Sequence, residues 1–147
     1  MRIIVKLLVA IAALSASGTM VSCKDVIIGS EELPAAAQSF LEDYFPGNPV
    51  SYAKKDREFA KTSYEVVLRD GTEVEFDAKG QWDNVDCKKS AVPAALIPTS
   101  VADYVQTNFP DQLIVKIDRE PYGHEIELLS GLELKFGKKG DLINIDD

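Results

Sequence analysis

The chain has 147 residues, with 16 basic and 24 acidic side chains, one histidine and two cysteines. Its formal net charge of −8 repels nucleic acid and anionic lipid and suits cationic ligands, basic protein patches or divalent metals. A single histidine and two cysteines leave little material for a zinc site or a Cys–His dyad, and the length fits one domain with a real core.

In chain order, Arg2 and Lys6 form a short basic region, Ile3 to Leu14 is an apolar run, and small residues follow up to Cys23. This reads as a secretory signal over residues 1–22, too short for a membrane-spanning helix. Thr19-Met-Val-Ser-Cys23 resembles a bacterial lipobox, with Met20 where leucine is usual. The resemblance implies cleavage before Cys23 and lipidation of that residue. An ordinary signal peptide cleaved nearby is the alternative. Cleavage at Cys23 leaves 14 basic against 24 acidic residues, a net charge near −10. With Cys23 carrying lipid, Cys87 has no partner for an intrachain disulfide and reads as a packed or half-exposed thiol.

Residues 23–32 read as a lipidated tether. A helix begins at Leu33-Pro34, where proline suits the first turn. Ala37, Phe40, Leu41, Tyr44 and Phe45 recur at helical spacing, and Pro46-Gly47 ends the run. Short strands follow over Val50 to Lys55, then a hairpin through Tyr64–Leu68 and Val74–Phe76, then a last strand over Gln81 to Cys87. Residues 88–96 link this unit (33–87) to a second copy (97–147), with room for a helical turn. Ile97-Pro98, Val101, Tyr104, Val105, Phe109 and Pro110 repeat the helix at an offset of 64, and Tyr64–Gly80 returns as His124–Gly140 at an offset of 60. The first copy therefore holds four extra residues between Asp56 and Tyr64.

Partners opposite one another in an antiparallel pair share a face. A three-residue loop, Arg69-Asp70-Gly71, sets Tyr64 opposite Phe76 and Val66 opposite Val74, and gives glycine the left-handed bulge position. His124 then faces Phe136, inward, and Ile126 faces Leu134. The expected fold class is α+β: a tandem repeat of one helix and four antiparallel strands, in a continuous eight-stranded sheet with both helices on one face.

The other face carries Glu65 opposite Glu75, Val67 opposite Glu73, Glu127 opposite Glu133 and Glu125 opposite Lys135, with Leu129 near. Trp82 and Leu142 are expected to join it as apolar anchors. Like charges placed opposite one another are unfavourable, so these pairs call for an explanation. One is a binding surface for a protein or peptide with a basic patch. The other is a solvated face made acidic for solubility. Exposed carboxylates without a pocket are poor general acids or bases, and no nucleophile or metal-hydrolase motif accompanies them. Asp77, Asp83 and Asp86 around one turn offer oxygens for calcium, but without EF-hand spacing, and Gly137 replaces the aspartate in the second copy.

Leu33-Pro34…Phe45-Pro46…Tyr64-Glu-Val…Asp70-Gly71…Val74-Glu-Phe-Asp…Gly80-Gln-Trp82, repeated as Ile97-Pro98…Phe109-Pro110…His124-Glu-Ile-Glu-Leu…Gly131-Leu-Glu-Leu-Lys-Phe…Gly140, resembles the PepSY-like periplasmic proteins of Bacteroidetes over about residues 33–146. The resemblance implies a fold like that of beta-lactamase inhibitor protein, an envelope location and no settled activity. The departures are His124 for a tyrosine and Gly137 for an aspartate. Together these readings lead to a non-enzymatic envelope lipoprotein, anchored to the membrane only by its lipid, that binds a protein or peptide in an inhibitor-like manner and uses no cofactor. A calcium-responsive periplasmic protein is the alternative.

Overall fold

The computed structural model describes residues 25–147. The expected signal sequence and cleavage site, and Cys23, lie outside the described residues. Nine strands form one antiparallel sheet whose spatial order is the chain order, β1 (Val26–Ile28), β2 (Val50–Glu58), β3 (Lys61–Leu68), β4 (Glu73–Asp77), β5 (Trp82–Asp86), β6 (Ile114–Glu120), β7 (Gly123–Leu128), β8 (Glu133–Gly137) and β9 (Leu142–Asp146). Helices α1 (Ala35–Tyr44) and α2 (Thr99–Asn108) cover one face.

The two units repeat the same physics. Pro34 and Pro98 precede their helices, and each carbonyl accepts two amide bonds from the first turn. Both helices stop at a phenylalanine, Phe45 or Phe109, that leaves helical geometry just before a proline. Ala37, Phe40 and Leu41 from α1 pack on Val66, Val74 and Phe76; Val101 and Val105 from α2 pack on Ile126, Leu134 and Phe136. Phe40 meets Phe76 edge-on, with ring centroids 5.4 Å apart. Tyr104 meets Phe136 in the same way, also at 5.4 Å. Each such pair adds about 0.5–1.5 kcal/mol to simple burial.

The hairpin register is the one the three-residue loop requires: Tyr64 opposite Phe76, Val66 opposite Val74, His124 opposite Phe136 and Ile126 opposite Leu134. The four extra residues of the first unit lengthen both arms of the β2–β3 hairpin relative to β6–β7, and Phe59 and Ala60 form its tip at positive φ. Part of the expected tether is strand instead. Val26–Ile28 pairs with β2, giving nine strands rather than eight, and Ser30–Glu32 makes a 3-10 turn before α1. The link between units contains the anticipated helical turn, Ala94–Leu96, and buries Val92 and Leu96.

β5 and β9 differ most from expectation. Phe76 pairs with Trp82 and Glu75 with Asn84, so Asp83 is an extra bulged residue. The same bulge falls at Ile143, between Leu142 and Asn144. One extra residue inverts the alternation, so the residues flanking it, Trp82 and Asn84 or Leu142 and Asn144, fall on opposite faces of the sheet. Trp82 and Leu142 therefore lie under the helices, not on the open face. Trp82 is only 7% exposed, packs against Phe40, and is covered by the Arg119 guanidinium 4.0 Å above its ring.

Candidate acidic binding face

The open face is assembled from alternate residues of β2 to β9. One row runs Lys54, Glu65, Glu75, Asn84, Asp118, Glu125, Lys135 and Asn144. The next runs Tyr52, Val67, Glu73, Asp86, Lys116, Glu127, Glu133 and Asp146. Strand alternation places Glu65, Val67, Glu73, Glu75, Glu127 and Glu133 here, as the sequence predicts. Leu129 is exposed but stands in the turn after β7, beyond the pairing. Tyr52, Lys54, Lys116 and Asp118 were not anticipated. The alternation about Ala53 and Ile117 carries their signal, but bulges near Val50 and Ile114 blur it.

Lysines neutralise part of the face. Lys54 lies 2.9 Å from Glu65, whose carboxylate also accepts the Tyr52 hydroxyl at 2.8 Å. Lys54 and then Tyr52 hold the Glu65 carboxyl below the usual range against the cost of its burial. Lys88 pairs with Glu73 at 3.0 Å and Asp86 at 2.8 Å; Lys116 pairs with Asp118 at 3.3 Å; Lys135 pairs with Asp146 at 2.9 Å and Glu125 at 3.8 Å. These are exposed or half-exposed pairs, each worth about 0–1 kcal/mol.

Glu75, Glu127 and Glu133 have no cation within salt-bridge distance among the described residues. Glu75 stands at the centre. Desolvation, then the charges of Glu65 and Asp118, push its carboxyl above the usual range. Beside it a polar cleft crosses the junction between the units, lined by Lys61, Glu75, Asp83, Asn84, Asp118 and Arg119. Burial and the nearby Asp77 raise the Asp83 carboxyl as well. A cationic group entering this cleft lowers the mutual repulsion of these carboxylates.

Asp77 and Asp86 are each engaged in a turn of their own. The Asp77 carboxylate accepts the Lys79 and Gln81 amides and shapes its own turn. Asp86 accepts the Lys88 amide and pairs with the Lys88 ammonium. Among the described residues no three metal-ligating side chains converge. His124 faces the helix side. Burial and then Arg119, opposite it on β6, hold its pKa down. Cys87 is buried, and desolvation lifts its thiol to about 11.

Residues 62–144, from the β2–β3 hairpin into β9, match the family model described as "Putative beta-lactamase-inhibitor-like, PepSY-like". The chain belongs to the PepSY-like family. Three solved structures from Bacteroides resemble it closely. A "putative periplasmic protein" of Bacteroides vulgatus shares 41% identity over 84% of this chain and 97% of its own, with a TM-score of 0.80. A "putative calcium-regulated periplasmic protein" of Bacteroides thetaiotaomicron shares 42% identity over the same shares, also at 0.80. A second B. vulgatus "putative periplasmic protein of unknown function" shares 36% identity over 84% of this chain and all of its own, at 0.81. A search of the curated proteins finds no match. The PepSY-like assignment agrees with the duplicated helix-and-sheet units, and none of these descriptions names a catalytic role.

Proposed function

We propose that this PepSY-like chain is a non-enzymatic envelope lipoprotein, anchored through Cys23, whose open acidic face holds a basic segment of another protein. The observation that carries the reading is the trio Glu75, Glu127 and Glu133, which no cation reaches within salt-bridge distance among the described residues. Val67 and the half-exposed Tyr52 supply apolar contact beside them. Such a face selects partners by charge and speeds their encounter more than it adds raw affinity. The test is titration of a lysine-rich peptide, with an acidic peptide of equal length as control, into the domain and into the variant Glu75→Gln, Glu127→Gln, Glu133→Gln. Expected are salt-sensitive binding to the unaltered domain and at least tenfold weaker binding to the variant, whose Tm is no lower than that of the unaltered domain. Equal binding to both refutes the reading.

The description of the B. thetaiotaomicron relative favours a second reading, in which calcium acts on the same face. A ligand at 100 times its Kd stabilises by about 2.7 kcal/mol, so melts in EDTA and in millimolar calcium separate the two. Glu75, Asp83 and Asp118 are the residues to alter if calcium raises Tm, since they line one cleft and Asp77 and Asp86 are engaged elsewhere.

A further inference from the structure

β5 and β9 are equivalent residue for residue. Val85 pairs with Val74 as Ile145 pairs with Leu134, and Asn84 and Asp86 stand where Asn144 and Asp146 stand. Their outer sides differ. β5 is covered by β6, with Asn84 opposite Asp118, Val85 opposite Ile117 and Asp86 opposite Lys116. β9 has no strand on its outer side among the described residues. Val85 is 0% exposed, whereas Ile145 is 42% exposed and Ile143 54%.

The opposite end of the sheet carries one further strand, β1, which is itself an edge. β1 lies on β2 in the register that β5 takes on β6: Ile27 opposite Lys54 and Ile28 opposite Ala53, as Asn84 is opposite Asp118 and Val85 opposite Ile117. β2 thus carries an added strand, β1, whereas β9 carries none among the described residues. Edge strands left uncovered are usually short, charged or bulged away. β9 has a bulge, yet it presents two exposed isoleucines.

We propose that β9 is a strand-acceptor site, and that its occupant is an extended peptide segment of another protein resembling β6. The junction already inside the molecule specifies the chemistry. An apolar residue sits opposite Ile145, on the helix side. A cation sits opposite Asp146, as Lys116 sits opposite Asp86, and a polar residue sits opposite Asn144. Backbone hydrogen bonds supply affinity in strand addition, and alternate side chains supply selectivity. The acidic chain disfavours a second copy of itself at this edge and favours a segment with a cation.

The backbone direction also follows from the internal copy. The Cys87 amide bonds to the Val115 carbonyl at 2.8 Å, so on β5 the amides of Cys87 and Val85 face β6. On β9 the equivalent outward amides are those of Ile145 and Asp147. Proline is tolerated on an edge strand where its missing N–H faces solvent. Ile145→Pro therefore removes an acceptor-edge donor and leaves the β8 pairing in place.

The experiment titrates a synthetic peptide with the sequence Leu113–Glu120, which carries no net charge, into the unaltered domain. Calorimetry and amide exchange follow the titration, with a shuffled peptide as control. Expected are saturable binding, slowed exchange at Ile145 and Asp147 but not in β1, and at least tenfold weaker binding to Ile145→Pro. The Glu75→Gln, Glu127→Gln, Glu133→Gln variant binds this peptide normally, which separates edge from face. Absence of binding, equal binding of the shuffled peptide, or equal binding to a folded Ile145→Pro overturns the proposal. So does protection of β9 by a dimer that sediments as two copies without peptide.

Discussion

Trp82→Ala distinguishes the buried side chain seen here from an exposed binding anchor. The indole is 7% exposed, contacts the Phe40 ring at a centroid distance of 6.3 Å and lies under Arg119. Removing a buried tryptophan costs about 3–5 kcal/mol, including the cavity left behind. Loss of the cation–π contact accounts for roughly 0.5–1 kcal/mol of that cost. For a domain of this size, about 3–5 °C of Tm goes with each kcal/mol, so the melting point falls on the order of 10–20 °C. Leu142→Ala is the internal control. It alters the equivalent residue of the second unit, which is only partly buried and has no neighbouring unit over it, and costs about 1–2 kcal/mol. Calorimetric or circular-dichroism melts of the two variants provide the assay. A Tm shift below about 2 °C for Trp82→Ala, the size expected of a surface change, refutes the buried placement. Equal losses at both positions refute the argument that the second unit covers the first.

Gly80 has φ +81, and an added Cβ lies 2.9 Å from the Ala37 amide nitrogen and 2.8 Å from the Pro34 Cβ, whereas Gly71 at φ +90 faces open space. Gly80→Ala therefore costs about 2–4 kcal/mol in urea unfolding, and Gly71→Ala about 1–2. The His124 pKa is lowered in the folded state, so the unfolded chain takes up its proton first. Stability falls as pH drops below about 6.5 toward the folded pKa, and His124→Tyr, the residue of the first unit, flattens that limb of a Tm-against-pH curve. Glu75 has the opposite sign. Its raised folded pKa makes stability fall as pH rises past the carboxylate range, so Glu75→Gln raises Tm at pH 7 relative to pH 4. Cys87, buried with its thiol lifted to about 11, reacts with a disulfide reagent at pH 8 only as the protein unfolds, and fast labelling of native protein contradicts its burial.

The duplication, the hairpin register and the faces of β3, β4, β7 and β8 are legible because a strand has a period of two and a loop of known length fixes which residues meet. β5 and β9 escape the same reasoning for one reason. A single bulged residue, Asp83 or Ile143, inverts the parity, and neither residue type marks a bulge. Trp82 and Leu142 thereby read as surface when they are core. β1 is hidden differently. Three apolar residues beside a polar stretch look like a flexible lead-in until β2 provides an edge to pair with. On the open face, the glutamates of the hairpins are readable, but Lys54 and Lys116 come from β2 and β6, whose registers shift near Val50 and Ile114, and Lys88, the partner of Glu73, follows β5.

The order of the sheet bears on how the chain acquires its structure. Every strand pairs only with the strands before and after it in sequence. Only the β1–β2 and β5–β6 pairings span a connection that holds a helix, so the entropy of closing the remaining loops is small, and topology of this kind permits fast folding. A chain that emerges gradually can complete each hairpin as it appears, and add the next strand to an edge already formed. β9 completes the second unit without disturbing any earlier pairing.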